Sequence, residues 1–191
     1  MKKITLVAFD KFTDIDVFLA WDLFNRVAIK NKDWSVKIVG TSQRHVSVTG
    51  IPIPTHGIIE MCNTADVVFF ASGPGTRTLM KDESYLKRFQ LNPENQIICS
   101  MCSGSLILGA LGLLNGITAT TYPTAIKELQ GLGVTFEDKP LVVHGNIATA
   151  AGCLAGVDLV AWVIEKLLGA EASEEVIASV QPIGKGLACI Y

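Results

Sequence analysis

The sequence predicts an α/β fold in which a mostly parallel central sheet is covered by helices on both faces, and three observations predict it. Short apolar runs alternate with longer amphipathic segments from one end of the chain to the other, the pattern of strands joined by helical crossovers. One of these runs, VVFFAS at Val67–Ser72, is apolar without in-out alternation, as in a strand covered on both sides. Hydrophobic residues make up 49% of the 191 residues and charged residues 18%, enough interior for one domain over residues 1–191 and too little charge for a disordered tail.

In chain order, the first strand is expected at Ile4–Phe9 and a helix from Asp14 to Ile29. Trp34–Gly40 is the next strand, and the proline-rich IPIPTHG reads as short strands or an edge. After Val67–Ser72 comes the turn Gly73-Pro74-Gly75-Thr76, a helix from Thr76 toward Gln90 and a strand at Gln96–Cys99. A helix is expected over Ser103–Leu111, a strand in ITATT, and a helix opened by Pro123 and running toward Leu129. LVVHGNIATA has the alternation and central Gly-Asn of a hairpin. Leu154–Leu168 is a long apolar helix, and a last helix is expected over Ser173–Ala178 with Ser173 as N-cap and Glu174 and Glu175 in its first turn.

Charge and patterning exclude several function classes. Sixteen Lys and Arg against eighteen Asp and Glu give a formal charge of −2, with no basic run interleaved with aromatics, so nucleic acid is not an expected partner. No stretch of membrane-spanning length lacks charge, and the opening MKKITLVAF is ended as an apolar run by Asp10 and Lys11, so it reads as a first strand and not a signal peptide. Five cysteines, Cys62, Cys99, Cys102, Cys153 and Cys189, form an odd set that suits a reducing, cytoplasmic setting. Cys99 and Cys102 make a C-x-x-C, open to a thiol-redox or half-zinc reading; no second pair of metal spacing exists, and His45, His56 and His144 are scattered. No metal and no organic cofactor is expected.

Cys102 carries the chemistry. In QIICSMCSGSLILGAL a β-rich run meets the small residues Cys102-Ser103-Gly104-Ser105 and a helix begins at once, which places Cys102 on a strand-to-helix turn. Unpaired N–H groups and the helix dipole at such a turn favour a thiolate and any oxyanion formed beside it. Cys62, Cys99, Cys153 and Cys189 read as small core residues, His144 as an exposed turn residue, and Asp14 as a solvated helix-start residue.

With that elbow in view, the chain resembles the ThiJ/PfpI superfamily, itself related to class I glutamine amidotransferases. CSMCSGSLILGALGLLNGITATTYP is similar to the family's cysteine elbow and its A-G-L-L-x-G-x-x-A-T-T segment. FASGPGT resembles the P-G-G-x-G-T loop, and GNIATAAGCLAGVDLVAWVIE resembles G-x-x-x-T-S-A-G-x-x-A-G-x-D-L-x-L. The resemblance implies a flavodoxin-like three-layer sandwich and a homodimer to which the first helix contributes. FDKFTDIDVFLAWDLF is similar to the start of the isocyanide hydratases, whose acid falls on Asp16, whereas the branch that includes the PfpI proteases uses Glu. The departures are Ser72 for the first loop glycine, C-S-G for C-T-G, Leu19 and Ala20 for the Gly-Pro after the acid, Ser103 where the proteases place His, and Tyr122 where His is frequent.

The resemblance to the isocyanide-hydratase branch implies water addition to a small electrophile such as an isocyanide, chemistry that a cysteine and a carboxylate can perform without a histidine. Cys102 attacks, Asp16 exchanges the proton, and the N–H groups of Gly73 and Ser103 hold developing negative charge. Two other readings stay open: a glyoxalase- or deglycase-like enzyme acting on small α-dicarbonyls, and a redox-sensing or effector-binding domain whose cysteine is oxidised without turnover.

Overall fold

The computed structural model describes residues 1–182, so Cys189 lies outside the described residues. β1 (Lys2–Val7) leads through a loop into α1 (Asp14–Lys30) and back to β2 (Trp34–Gly40). The proline-rich stretch supplies a small antiparallel pair, β3 (Arg44–Val46) with β4 (Pro52–Pro54), and the edge strand β5 (Gly57–Ile58). β6 (Val67–Phe70), α2 (Thr76–Leu79), α3 (Glu83–Leu86), β7 (Ile97–Met101) and α4 (Ser105–Ala110) follow. Then come β8 (Thr118–Ala119), α5 (Ile126–Gly131), β9 (Thr135–Phe136), the hairpin β10 (Leu141–His144) and β11 (Ile147–Ala150), α6 (Gly156–Leu168) and α7 (Ala170–Ala178).

The main sheet has seven strands in the order β10-β11-β7-β6-β1-β2-β5, parallel except for the outer strand β10. This is the expected α/β sandwich. α1, α6 and α7 pack together over one side of the sheet, and α2, α4 and α5 form the other helical group. All four residues of β6 and all five of β7 are buried, which is why their sequences are small or apolar throughout. α1 buries Val17, Ala20, Leu23, Phe24 and Val27 at three- and four-residue spacing, with Asp14 and Asp16 in its first turn and Lys30 in its last, in accord with the helix dipole. No helix among the described residues is long and apolar enough to cross a membrane.

Several element boundaries differ from expectation, each for a local reason. The helix expected over residues 76–90 is two single turns, because Asp82 leaves helical geometry and restarts the chain by accepting from the N–H groups of Ser84 (2.9 Å) and Tyr85 (3.1 Å). ITATT is extended over only two paired residues, since the Thr120 N–H turns to Thr149 Oγ1 (2.9 Å). The last helix starts at Ala170, directly after Gly169 with φ of 92°, a left-handed conformation that separates it from α6. Ser173 is accordingly not its N-cap; it is buried and donates to the Ala161 carbonyl at 2.9 Å. α6 begins at Gly156, and the three residues before it, Cys153–Ala155, form a 3-10 turn.

Candidate active site

The strand order reverses between β1 and β6, and the loops leaving the carboxyl ends of β1, β6, β7 and β11 converge there, the usual ligand position of an open α/β sheet. Register explains who meets whom. Phe70 on β6 pairs with Ser100 on β7, so Ser72 and Cys102, each two residues further on, emerge side by side. Ala150 on β11 pairs with Met101, which brings the segment carrying Cys153 to the other side of Cys102.

Cys102 occupies the predicted elbow. Its φ is 46°, a left-handed value that a residue with a Cβ seldom adopts, and it leads through a 3-10 turn into α4. Its carbonyl accepts from Ser105 Oγ at 3.1 Å and Thr121 Oγ1 at 3.0 Å, and these two hydroxyls bond each other at 2.8 Å. A Cβ on Gly104 would sit 2.7 Å from the carbonyl oxygens of Phe70 and Ala71, so only glycine lets the elbow settle against β6. The second threonine of the T-T pair, Thr121, is therefore a clamp on the Cys102 backbone.

Asp16 reaches the same place from the first turn of α1. The Thr13 N–H bonds the Ser72 carbonyl at 2.7 Å, tying the helix start to the loop after β6. Asp16 is wholly buried; its Oδ2 accepts a short hydrogen bond from Ser72 Oγ, and its Oδ1 has no partner among the described residues. Ser72 stands where the family loop begins with glycine, and the exchange supplies the buried carboxylate with a donor.

Cys153 departs from expectation. It is half-exposed, not core, and its Sγ, Cys102 Sγ and an Asp16 carboxylate oxygen all lie within 4.8 Å of one another. The trio offers one oxygen and two sulfur ligands, a donor set that zinc-like ions accept. Cys62 and Cys99 are core residues as expected, so the C-x-x-C has one member inside the sheet and one in the site.

The site's electrostatics reverse one expectation. Burial pushes the Cys102 thiol well above the ordinary range, and the charge of Asp16 adds to this; only hydrogen bonding from the Gly152 backbone opposes them. A six-residue helix entered through a 3-10 turn does not outweigh desolvation beside a carboxylate. Cys153 is raised to about 11 by burial and then by its proximity to Asp16. Both thiols thus hold their protons at neutral pH.

A cleft of about 340 Å³ opens over Cys102, lined also by Thr13, Val48, Gly73, Tyr122 and Cys153. Gly73 and Ser103 both line this cleft. The Gly73 N–H, however, donates to Ser103 Oγ at 3.2 Å, and Ser103 Oγ also accepts from Thr76 Oγ1 at 3.1 Å, so a bound oxygen would replace the serine hydroxyl at Gly73. Arg77 on the rim is occupied by Glu128 at 3.0 Å and the Thr124 carbonyl at 3.1 Å, leaving no unpaired cation among the described lining residues.

None of the three histidines lines this cleft. His45 is buried and accepts from the Thr41 N–H, while His56 stacks on Trp21 at 5.1 Å. His144 is half-buried at the end of β10 and bonds Thr118 Oγ1 at 2.9 Å, so it is not the exposed turn residue expected. A larger cleft of about 500 Å³, between the end of α1 and α7, is lined by no cysteine or histidine among the described residues.

The sequence model of the DJ-1/PfpI family matches residues 2–166. The chain belongs to this family. An isonitrile hydratase from Pseudomonas putida is 33% identical over 129 residues, 67% of this chain and 57% of the hydratase, so the chain spans little more than half the length of that relative. A glutathione-independent glyoxalase DJ-1 from Schizosaccharomyces pombe is 26% identical over 164 residues, covering 80% of this chain and 84% of the relative. A solved ThiJ/PfpI protein from Pseudomonas syringae superposes with a TM-score of 0.85 at 26% identity, covering 99% of this chain and 79% of that one.

Proposed function

We propose that this DJ-1/PfpI protein is a cysteine-dependent hydratase that adds water to a compact, neutral, electrophilic carbon of the isocyanide class. The observation that carries the reading is the fully buried Asp16 carboxylate, with one unpartnered oxygen, beside Cys102 in a cleft that no histidine lines. Similarity to the P. putida isonitrile hydratase supports it. The cleft is near the lower end of the roughly 300–1,000 Å³ typical of ligand sites, and its lining lacks an unpaired cation, which suits a small uncharged substrate.

In the proposed reaction Cys102 Sγ bonds to the terminal isocyanide carbon. The thiol proton passes to Asp16 and from there to that same carbon, giving a thioimidate. Water then adds to this carbon as nitrogen takes a proton. Collapse of the adduct breaks the C–S bond, releases the N-substituted formamide and returns the proton to sulfur. The N–H groups of Gly73 and Ser103 stabilise the negative charge that builds on the adduct. Turnover of para-nitrophenyl isocyanide by the wild type, abolished in Cys102→Ala, is the expected result; a wild type as inert as that variant refutes the hydratase reading.

The longer match to the S. pombe glyoxalase favours one second reading, turnover of a small α-dicarbonyl at the same cysteine. Methylglyoxal consumption without isocyanide consumption selects it. A homodimer formed around α1, where Ile15 and Phe18 are exposed apolar residues flanking Asp16, and a cytoplasmic location complete the proposal.

A further inference from the structure

We propose that Cys102 and Cys153 close into a reversible intramolecular disulfide when the site meets a hydroperoxide, with Cys153 as the resolving thiol. This rests on the reading of Cys102 as nucleophile and adds redox control to the same site. The two sulfurs lie within 4.8 Å, so reaching the roughly 2.05 Å of a disulfide requires an approach of at most about 2.8 Å. The chain beside Cys153 can supply that movement. Gly152 has φ of 85° with nothing within 4 Å of where a Cβ would sit, and Leu154, on the other side of Cys153, is 69% exposed. The inner wall is fixed by contrast, since Cys102 is clamped through Ser105 and Thr121.

The remaining observation is the unpartnered Asp16 Oδ1, a buried proton acceptor within reach of both sulfurs. In the first step Cys102 gives its proton to Asp16 and attacks the distal peroxide oxygen; an S–O bond forms and the O–O bond breaks. The leaving alkoxide takes a proton and departs as alcohol, or as water from hydrogen peroxide. Cys153 then attacks the sulfenic sulfur, so that the S–S bond forms and the S–O bond breaks, and the departing hydroxide takes up the Cys153 proton as water. Two thiols are oxidised and one hydroperoxide is reduced; a dithiol reductant reverses the change. Cys62 and Cys99, both in the core, do not compete for this reaction. While the disulfide stands, the nucleophile is blocked and is also shielded from over-oxidation.

The test treats reduced full-length protein with one equivalent of hydrogen peroxide, traps free thiols, and maps unreduced peptides by mass spectrometry. A Cys102–Cys153 link, an intact mass lower by two hydrogens, and recovery with dithiothreitol are expected. Without the resolving thiol, Cys153→Ser and Cys153→Ala should carry about tenfold more sulfinic acid on Cys102 at the same dose. Equal sulfinic acid in the wild type and both variants, or a link from Cys102 to any other cysteine, overturns the inference. Isocyanide turnover of the reduced wild type separates the two readings. A mapped disulfide with no turnover removes the hydratase alone, turnover without a disulfide removes the redox device alone, and a Cys102 inert to both reagents removes both.

Discussion

Replacing Asp16 with Asn changes one property of the site, its ability to take a proton, while leaving its shape. The Asn carbonyl can still accept from Ser72 Oγ, so the tie between α1 and the loop after β6 is kept and stability should change by no more than about 1 kcal/mol. Its amide instead turns N–H groups toward the two sulfurs, where Asp16 has its unpartnered oxygen. Loss of a positioned acid-base group costs a factor of about 10²–10⁴, or roughly 3–5 kcal/mol of barrier, and kcat for isocyanide hydration should fall by that much. The thiol responds in the opposite sense. Burial remains the main reason the Cys102 thiol resists ionisation, but the carboxylate's contribution disappears, so Cys102 ionises at lower pH and alkylation by iodoacetamide at mildly alkaline pH should become several-fold faster. A steady-state assay alongside a pH series of alkylation rates reads both. Slower alkylation in Asp16→Asn, or an unchanged kcat, refutes the assignment of Asp16 as the base that restrains and then relays the thiol proton.

Ser72→Ala leaves the second Asp16 oxygen without its donor and should cost about 1–3 kcal/mol in urea unfolding, with a lowered kcat that Ser72→Thr restores more than Ser72→Gly does. Gly104→Ala should lose more than about 2 kcal/mol and slow Cys102 alkylation, because its Cβ meets two carbonyl oxygens at 2.7 Å and displaces the elbow; a wild-type melting temperature would contradict that packing. Cys62, raised by burial from 9.0 to about 12, stabilises the fold fully below pH 9 and loses that contribution as pH rises from 9 to about 12. The loss amounts to up to about 4 kcal/mol. Urea midpoints taken between pH about 8 and about 11 should therefore fall less steeply in Cys62→Ala than in wild type.

What the residue string revealed follows from how local each signal is. Cys102 was legible because strand, small-residue turn and helix are contiguous, whereas Asp16, in the first turn of α1, was marked only by the resemblance of FDKFTDIDVFLAWDLF to the start of the isocyanide hydratases. Cys153 was not, since it enters the site only through the parallel pairing of β11 with β7 some fifty residues earlier, and no periodicity records that partnership. The signal that could have found it is its place three residues past the carboxyl end of a strand, the same kind of position that marked Cys102. Asp82 broke a helix that apolar spacing alone would have continued, and Ser173 capped nothing because Gly169 had already ended α6.

The thiol pKa shows the same division at the level of chemistry. A cysteine next to a helix start suggests an activated thiolate, but that inference uses only the backbone that follows it. In the folded chain Cys102 is 3% exposed and faces a carboxylate that arrives from α1, and desolvation plus like charge outweigh a single short helix. The proposed reactivity of Cys102 therefore rests on something other than a lowered pKa. Left-handed strain at φ of 46° and the Ser105–Thr121 clamp hold the elbow in place, and in the proposed reaction the unpartnered oxygen of Asp16 takes the thiol proton when an electrophile enters the cleft. On the proposed reading, such a site stays quiet toward solvent and turns on with substrate, which fits a Cys102 that shares its cleft with the half-buried thiol of Cys153.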